Sequence, residues 1–201
     1  MFIQHMMGIL HHPKEEWSQI RKEHYSISHI FIQQVSILAA IPAVAMFIGT
    51  TQVGWSIAGS EYVKLGVASA LPAAIAFYFA MWVAVGFITY AIHWMEKNYG
   101  GNAALEDCLS LATYTATPMF LSGLAALYPL LWFNVSIGLI AVCYSVYLLY
   151  VGVPVIMKIP EERAFLFSTS ILTVGLCTLV GVLVASVVLW STVIPLNYIA
   201  A

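Results

Sequence analysis

Apolar and polar residues are not interleaved along this chain; they come in blocks. No ionised side chain falls between Glu23 and Glu61, between Lys64 and Glu96, between Asp107 and Lys158, or after Arg163. A helix needs about 20 mostly apolar residues to cross roughly 30 Å of hydrocarbon. The first, second and last blocks hold one span each. The third, residues 108–157, is long enough for two if it breaks in the middle. It carries YPLLWFNVS there, with Pro129, Trp132 and Asn134 reading as a turn beside an interfacial aromatic. The pattern predicts five spans, at about 29–49, 68–94, 109–130, 135–156 and 168–193.

Turn and cap signals agree with these boundaries. Pro13 followed by Lys14, Glu15 and Glu16 reads as a helix start, and Pro160, Glu161 and Glu162 repeat the device before the last span. Gly100, Gly101 and Asn102 end the second span. A short amphipathic helix over 13–26 is expected to expose Glu16 and Lys22 and to lay Trp17 and Ile20 on the membrane surface. The apolar residues from Met1 to Leu10 are expected to dip into lipid as well. The first long apolar run begins only near His29, after a polar segment, so no cleavable signal is expected. No repeat or linker divides the chain. The expected fold class is an all-α integral membrane protein: a five-transmembrane-helix bundle over 29–201, preceded by an N-terminal interfacial segment, 1–28.

Composition strengthens this picture. Hydrophobic residues make up 62% of the chain and charged residues 8%, and the mean hydropathy is +0.92. A soluble domain carries about 25% charged residues, so the solvent for most of this surface is lipid. Five crossings put Lys14, Arg21, Lys22, Lys97, Lys158 and Arg163 on one side and Lys64 on the other. The positive-inside rule then places the N-terminus in the cytoplasm and the C-terminus in the periplasm. With a net charge of −2, no nucleic acid is expected as a partner.

Few residues suggest chemistry. Cys108, Cys143 and Cys177 have no paired spacing and read as small packing residues; neither a Cys-x-x-Cys motif nor a His–Cys grouping stands along the chain. His5, His11, His12, His24 and His29 crowd the N-terminal segment beside Met1, Met6 and Met7. They lack the i, i+4 pairing of a helical metal clamp, and no carboxylate is evidently placed to orient them. They are expected to hold no metal, and no cofactor is expected anywhere. No ionisable residue lies deep in a span, which argues against a proton-coupled transporter or pump. Hydrolase motifs are missing. Thr113, Thr115 and Thr117 precede Pro118 in the third span, and structural bonding to helix carbonyls is their expected role. Ala76, Ala80 and Ala84 form one small-residue face, and Cys177, Gly181 and Ala185 another; internal packing is expected, with a dimer seam as the alternative.

Four stretches together resemble the Yip family, the Ypt/Rab-interacting membrane proteins. They are HHPKEEWSQI (11–20), IPAVAMFIGTTQVGW (41–55), YTATPMFLSGLAALYPLLW (114–132) and YLLYVGVPVIMKIPEERA (147–164). Tyr114 to Pro118 is similar to the Tyr–Ser–x–x–Pro pattern of the family's third helix, with Thr115 in the place of Ser. Pro13 and Trp17 loosely match the Gly–Pro–x–Trp start of eukaryotic relatives, without its acidic lead-in. Pro154, Lys158 and Pro160 fall in the last stretch. The resemblance implies a bacterial inner-membrane protein with five spans, a cytoplasmic N-terminus, and no catalytic residues or cofactor. The function expected is non-enzymatic, acting through membrane lipids, a homo-oligomer, or an unidentified membrane or cytoplasmic protein. Its expected working surface is 13–22 with the 96–107 and 157–163 loops. The second expectation is a small channel or facilitator for a neutral solute, lined by the threonines of the third span.

Overall fold

The structure is a computed structural model that describes residues 2–23, 25–54, 63–128, 130–192 and 198–200. Two short helices open it: α1 (Phe2–His11) and α2 (Pro13–Ile20), the latter with Pro13 in its first turn and Glu15 and Glu16 beside it. A continuous helical rod follows, α3 (Ile27–Val53), with π-helical turns at Ile30–Val35 and Gly49–Val53. Helix α4 runs Val67–Glu96, α5 runs Leu105–Ser122, α6 runs Leu131–Met157 and α7 runs Glu161–Thr192. A two-stranded antiparallel ribbon joins β1 (Val63–Leu65) to β2 (Tyr198–Ala200), with Val63 opposite Ala200.

Four of these rods, α3, α4, α6 and α7, are long and apolar enough to cross a membrane. Their ends lie within about four residues of the expected ones, except that α7 begins at Glu161, seven residues before the expected start of the last span at 168. Helix α5 is shorter and more polar, beginning Leu105-Glu106-Asp107, and continues as a 3-10 turn over Gly123–Leu127. The break after it differs in detail from expectation. Trp132 and Asn134 lie inside the first turns of α6, and Pro129 falls outside the described residues. The Asn134 amide donates to the carbonyls of Tyr128 and Leu130, at 3.0 and 2.9 Å, and so ties off the incoming turn. Pro195 also falls outside the described residues.

Helix α5 is the hub. It packs against α3, α4 and α6, and most of its residues from Cys108 to Phe120 are buried. Helix α7 stands at the edge, packed on α4 and α6, and is the least buried of the long rods. Large apolar side chains such as Phe79, Val83, Trp132, Leu139 and Val187 point outwards. That is the inverse of a soluble surface and suits lipid.

The N-terminal helices do not lie out on the membrane surface as the amphipathic pattern suggests. Ile9, Trp17 and Ile20 belong to the main core with Leu111, Leu148, Val153 and Phe167, and Trp17 is 0% exposed. Glu16 is buried as well; Lys22 is exposed, as expected. An apolar helix face states only that something covers it. Here protein does. Two reciprocal bonds hold the pair down. Arg21 donates to the Val155 carbonyl in the last turn of α6, at 2.9 Å. Tyr144 of α6 donates to the Leu10 carbonyl in the last turn of α1, also at 2.9 Å. Each satisfies a carbonyl that a helix end leaves without an intrahelical donor.

Trp17 lands on Gly152 of α6, where an added Cβ would sit 2.6 Å from the indole. Nothing lies within 4 Å of the same position at Gly138 on that helix. Gly152→Val is therefore expected to unseat Trp17 and cost about 1–3 kcal/mol, as overpacking does. Gly138→Val, where an added side chain meets open space, should change stability by no more than about 0.5 kcal/mol. Thermal unfolding of both variants in one detergent measures the contrast; equal losses would refute the seat.

Candidate functional site

Polar side chains in a lipid-facing protein concentrate where the chain can answer them, and here they gather at the end that carries α1 and α2. Helix α1 brings His5, which is buried. Its Nδ1 meets a Glu16 carboxylate oxygen on α2, and its Nε2 lies 3.0 Å from Oε2 of Glu23 in the connection to α3. The Tyr25 hydroxyl donates to the same Glu23 oxygen. Both ring nitrogens thus face carboxylates, and only the doubly protonated imidazolium donates to both at once. The Tyr25 bond, with help from His5, holds the Glu23 carboxyl below its ordinary value. The same bond, burial and the Glu23 charge push the Tyr25 phenol up to about 12.

Tyr114 sits beneath this network at 0% exposure. Its ring meets His5 and Trp17 edge-on, with centroids 6.4 and 6.3 Å apart. Gln34, buried in the first π-turn of α3, reaches its phenol. One residue of α5 therefore touches α1, α2 and α3. The structure brings together Tyr114, Trp17 and, as the start of α2, Pro13 from among the residues chosen on sequence. The others lie apart. Thr117 is buried on α5 and donates to the Thr113 carbonyl at 3.1 Å. Thr115 is half-buried and Pro118 is buried farther along α5. Pro154 lies in the last turn of α6. Lys158 and Pro160 are exposed, Lys158 closing α6 with a φ of 56°.

Glu16 and Glu23 were missed on sequence, and with them His5. The expectation that no carboxylate orients the N-terminal histidines is overturned for His5, whose partners stand 11 and 18 residues away. A pairing that distant leaves no periodic trace. Cys108 also departs from the reading of three unconnected cysteines. Its Sγ lies 4.0 Å from His93 Nδ1 and 4.0 Å from Glu96 Oε2, while His93 Nδ1 is 3.3 Å from Glu96 Oε1. The Gly100–Gly101 turn, with Gly100 at φ 79°, folds α5 back beside α4 and brings these groups together.

A different feature marks the opposite half of the bundle. Helices α4 and α7 pack closely where Ile92, Ala164, Phe167 and Ile171 share the core. Beyond Thr173 they part around an apolar groove of about 740 Å³, its floor and walls including Ala76, Ala80, Ala84, Cys177, Gly181 and Ala185. These are the two small-residue faces picked out on sequence. They face one space instead of interlocking.

A multi-helix integral membrane protein with a plugged polar end and an open apolar flank is the class these features define. The chain belongs to the Yip1 family: the Yip1 domain matches residues 7–182. It is 40% identical to the inner membrane protein YohC of Escherichia coli K12 over 186 residues, which cover 92% of this chain and 95% of that protein. The same identity and coverage hold for YohC of Escherichia coli O6:H1. No solved structure matches.

The titrations of Glu23 and Tyr25 set a pH window for the network. A depressed carboxyl contributes stability that is present above its unfolded value of 4.5 and is lost as pH falls through the folded value. A raised phenol contributes stability that is present below 10.0 and is lost as pH rises towards about 12. The melting-temperature gap between wild type and Glu23→Gln should therefore shrink as pH drops below about 4.5. The gap between wild type and Tyr25→Phe should close above pH 10.0. Gaps that stay constant across these ranges would contradict the assignment.

Proposed function

We propose that this chain is a non-enzymatic inner-membrane protein with five spans, a cytoplasmic N-terminus and a periplasmic C-terminus, which works by holding bilayer lipid in the groove between α4 and α7. The groove carries this reading. It lies between two of the least buried rods, is lined by small apolar residues, and opens sideways towards the membrane. The hydroxyls on its wall, Thr173 and Thr178, donate to their own helix carbonyls at 2.9 and 2.7 Å. A dry, laterally open slot of this kind suits an acyl chain better than a polar solute.

Two observations support a fifth crossing by α5. The β1–β2 ribbon pairs the connection after the first span with the C-terminus, so both lie on one side of the membrane. With only α3, α4, α6 and α7 crossing, the chain would return to its starting side and the strands could not meet. The low hydropathy of α5 is no obstacle, because α3, α4 and α6 shield it from lipid. Its helix with the following 3-10 turn is also long enough, at about 1.5–2 Å per residue. The Lys and Arg distribution then sets the orientation. The channel reading gains less: Thr113 and Thr117 on α5 are 0% exposed and face the protein interior.

A reporter active only in the periplasm should be active when fused after Ala201 and silent when fused at Asn102. Reversed activities would overturn the topology. For the groove, native mass spectrometry of protein released from nanodiscs should find retained phospholipid. Ala80→Trp and Gly181→Trp should release it while leaving the fold intact. Unchanged lipid retention would sink the reading. Efficient Cys177–Cys177 cross-linking in the membrane would replace lipid with a second copy of the chain.

A further inference from the structure

Glu96 poses a problem that the lipid reading does not touch. It ends α4 at 1% exposure, and a carboxylate that deeply buried has to be paired, neutral or bound to a metal. Its one ion-pair partner among the described residues is His93, whose side chain is 34% exposed. No lysine or arginine pairs with it among those residues. Beside it lies the buried thiol of Cys108. We propose that His93, Glu96 and Cys108 form a binding site for a divalent transition-metal ion, zinc being the best match, at the end of the bundle that carries α1 and α2.

The donor set is the first argument. An imidazole, a thiolate and a carboxylate are the three ligand types that zinc accepts, and three protein ligands leave one position for water. Their three atoms lie within 4.8 Å of one another. The spacing is the second argument. A tetrahedral ion with ordinary zinc bond lengths holds its nitrogen and oxygen about 3.3–3.4 Å apart, and either of them about 3.5–3.6 Å from sulfur. His93 Nδ1 is 3.3 Å from Glu96 Oε1 and 4.0 Å from the Cys108 sulfur, and that sulfur is 4.0 Å from the other carboxylate oxygen, Oε2. With one atom taken from each residue, every edge of the triangle is within 4.8 Å, so side-chain adjustment of up to about 1.3 Å closes it to tetrahedral spacing.

Charge is the third. A thiolate and a carboxylate around one divalent cation make a neutral unit, which would leave the buried Glu96 needing no basic partner. Binding releases the Cys108 proton. The outer shell is in place as well: the Ala103 N–H donates to Glu96 Oε2 at 2.9 Å, which fixes the carboxylate against the loop that follows Gly101. The exposed edge of His93 provides the route in.

The test uses the full chain purified in detergent with an affinity tag free of histidine, after chelation and addition of zinc or cobalt(II). Wild type should retain stoichiometric zinc by elemental analysis, and its cobalt form should show a thiolate-to-metal charge-transfer band. Cys108→Ser should abolish the band, His93→Gln should lower zinc to background, and His12→Gln should leave both signals unchanged. Absence of both the band and retained zinc in the wild type would overturn the site without reference to any variant. Zinc retained equally by Cys108→Ser and His93→Gln would do the same.

Discussion

One helix in this protein cannot meet lipid, and the others are arranged around that fact. Helix α5 begins with two acids, carries three threonines, a tyrosine and a mid-helix proline, and would be a costly neighbour for acyl chains. Helices α3, α4 and α6 enclose it. Thr117 bonds back to the Thr113 carbonyl, and Tyr114 meets Gln34 and the edges of His5 and Trp17. The Thr113 and Thr115 hydroxyls, expected to bond helix carbonyls, are instead buried without a hydrogen-bond partner among the described residues. What remains open at the end of α5 is covered by α1 and α2. The N-terminal helices are thus a plug for the hub.

The outer helices carry the opposite constraint. Their exposed faces are apolar because lipid is the solvent there, so apolar side chains on α7 contribute little by being buried in protein. Contact between such helices depends on close fit and on hydrogen bonds. The fit between α4 and α7 is good near Phe167 and poor beyond Thr173. Tyr99 reinforces the good half by stacking on Phe167 at 4.9 Å and bonding to the Ser170 hydroxyl at 2.6 Å. The groove is where this reinforcement stops.

Four spans were legible in the sequence because hydropathy over twenty residues measures what lipid measures. The fifth helix was legible mainly through the gaps between charges, and its boundaries were the least accurate, since a protein-enclosed helix has no need of a uniform apolar run. Tyr114, Trp17 and Pro13 stand in local motifs; Tyr114 meets Trp17 edge-on, and Pro13 starts the helix that carries Trp17. Glu16 and Lys22 look alike in the amphipathic pattern, yet Glu16 is buried on His5 and Lys22 is exposed. Nothing within one helix turn separates them. The grouping of His93, Glu96 and Cys108 depends on a glycine turn, and the ends of that turn were visible while the direction of return was not.

The latch between the N-terminal helices and α6 has a consequence for biosynthesis. Arg21 and Leu10 each wait for a partner 134 residues downstream. At about 5–20 residues per second, a ribosome needs on the order of ten seconds to deliver those partners after the first helices have emerged. Throughout that interval the apolar faces of α1 and α2 have no core to enter. Their burial is therefore a late event of assembly, completed only when α6 has been made.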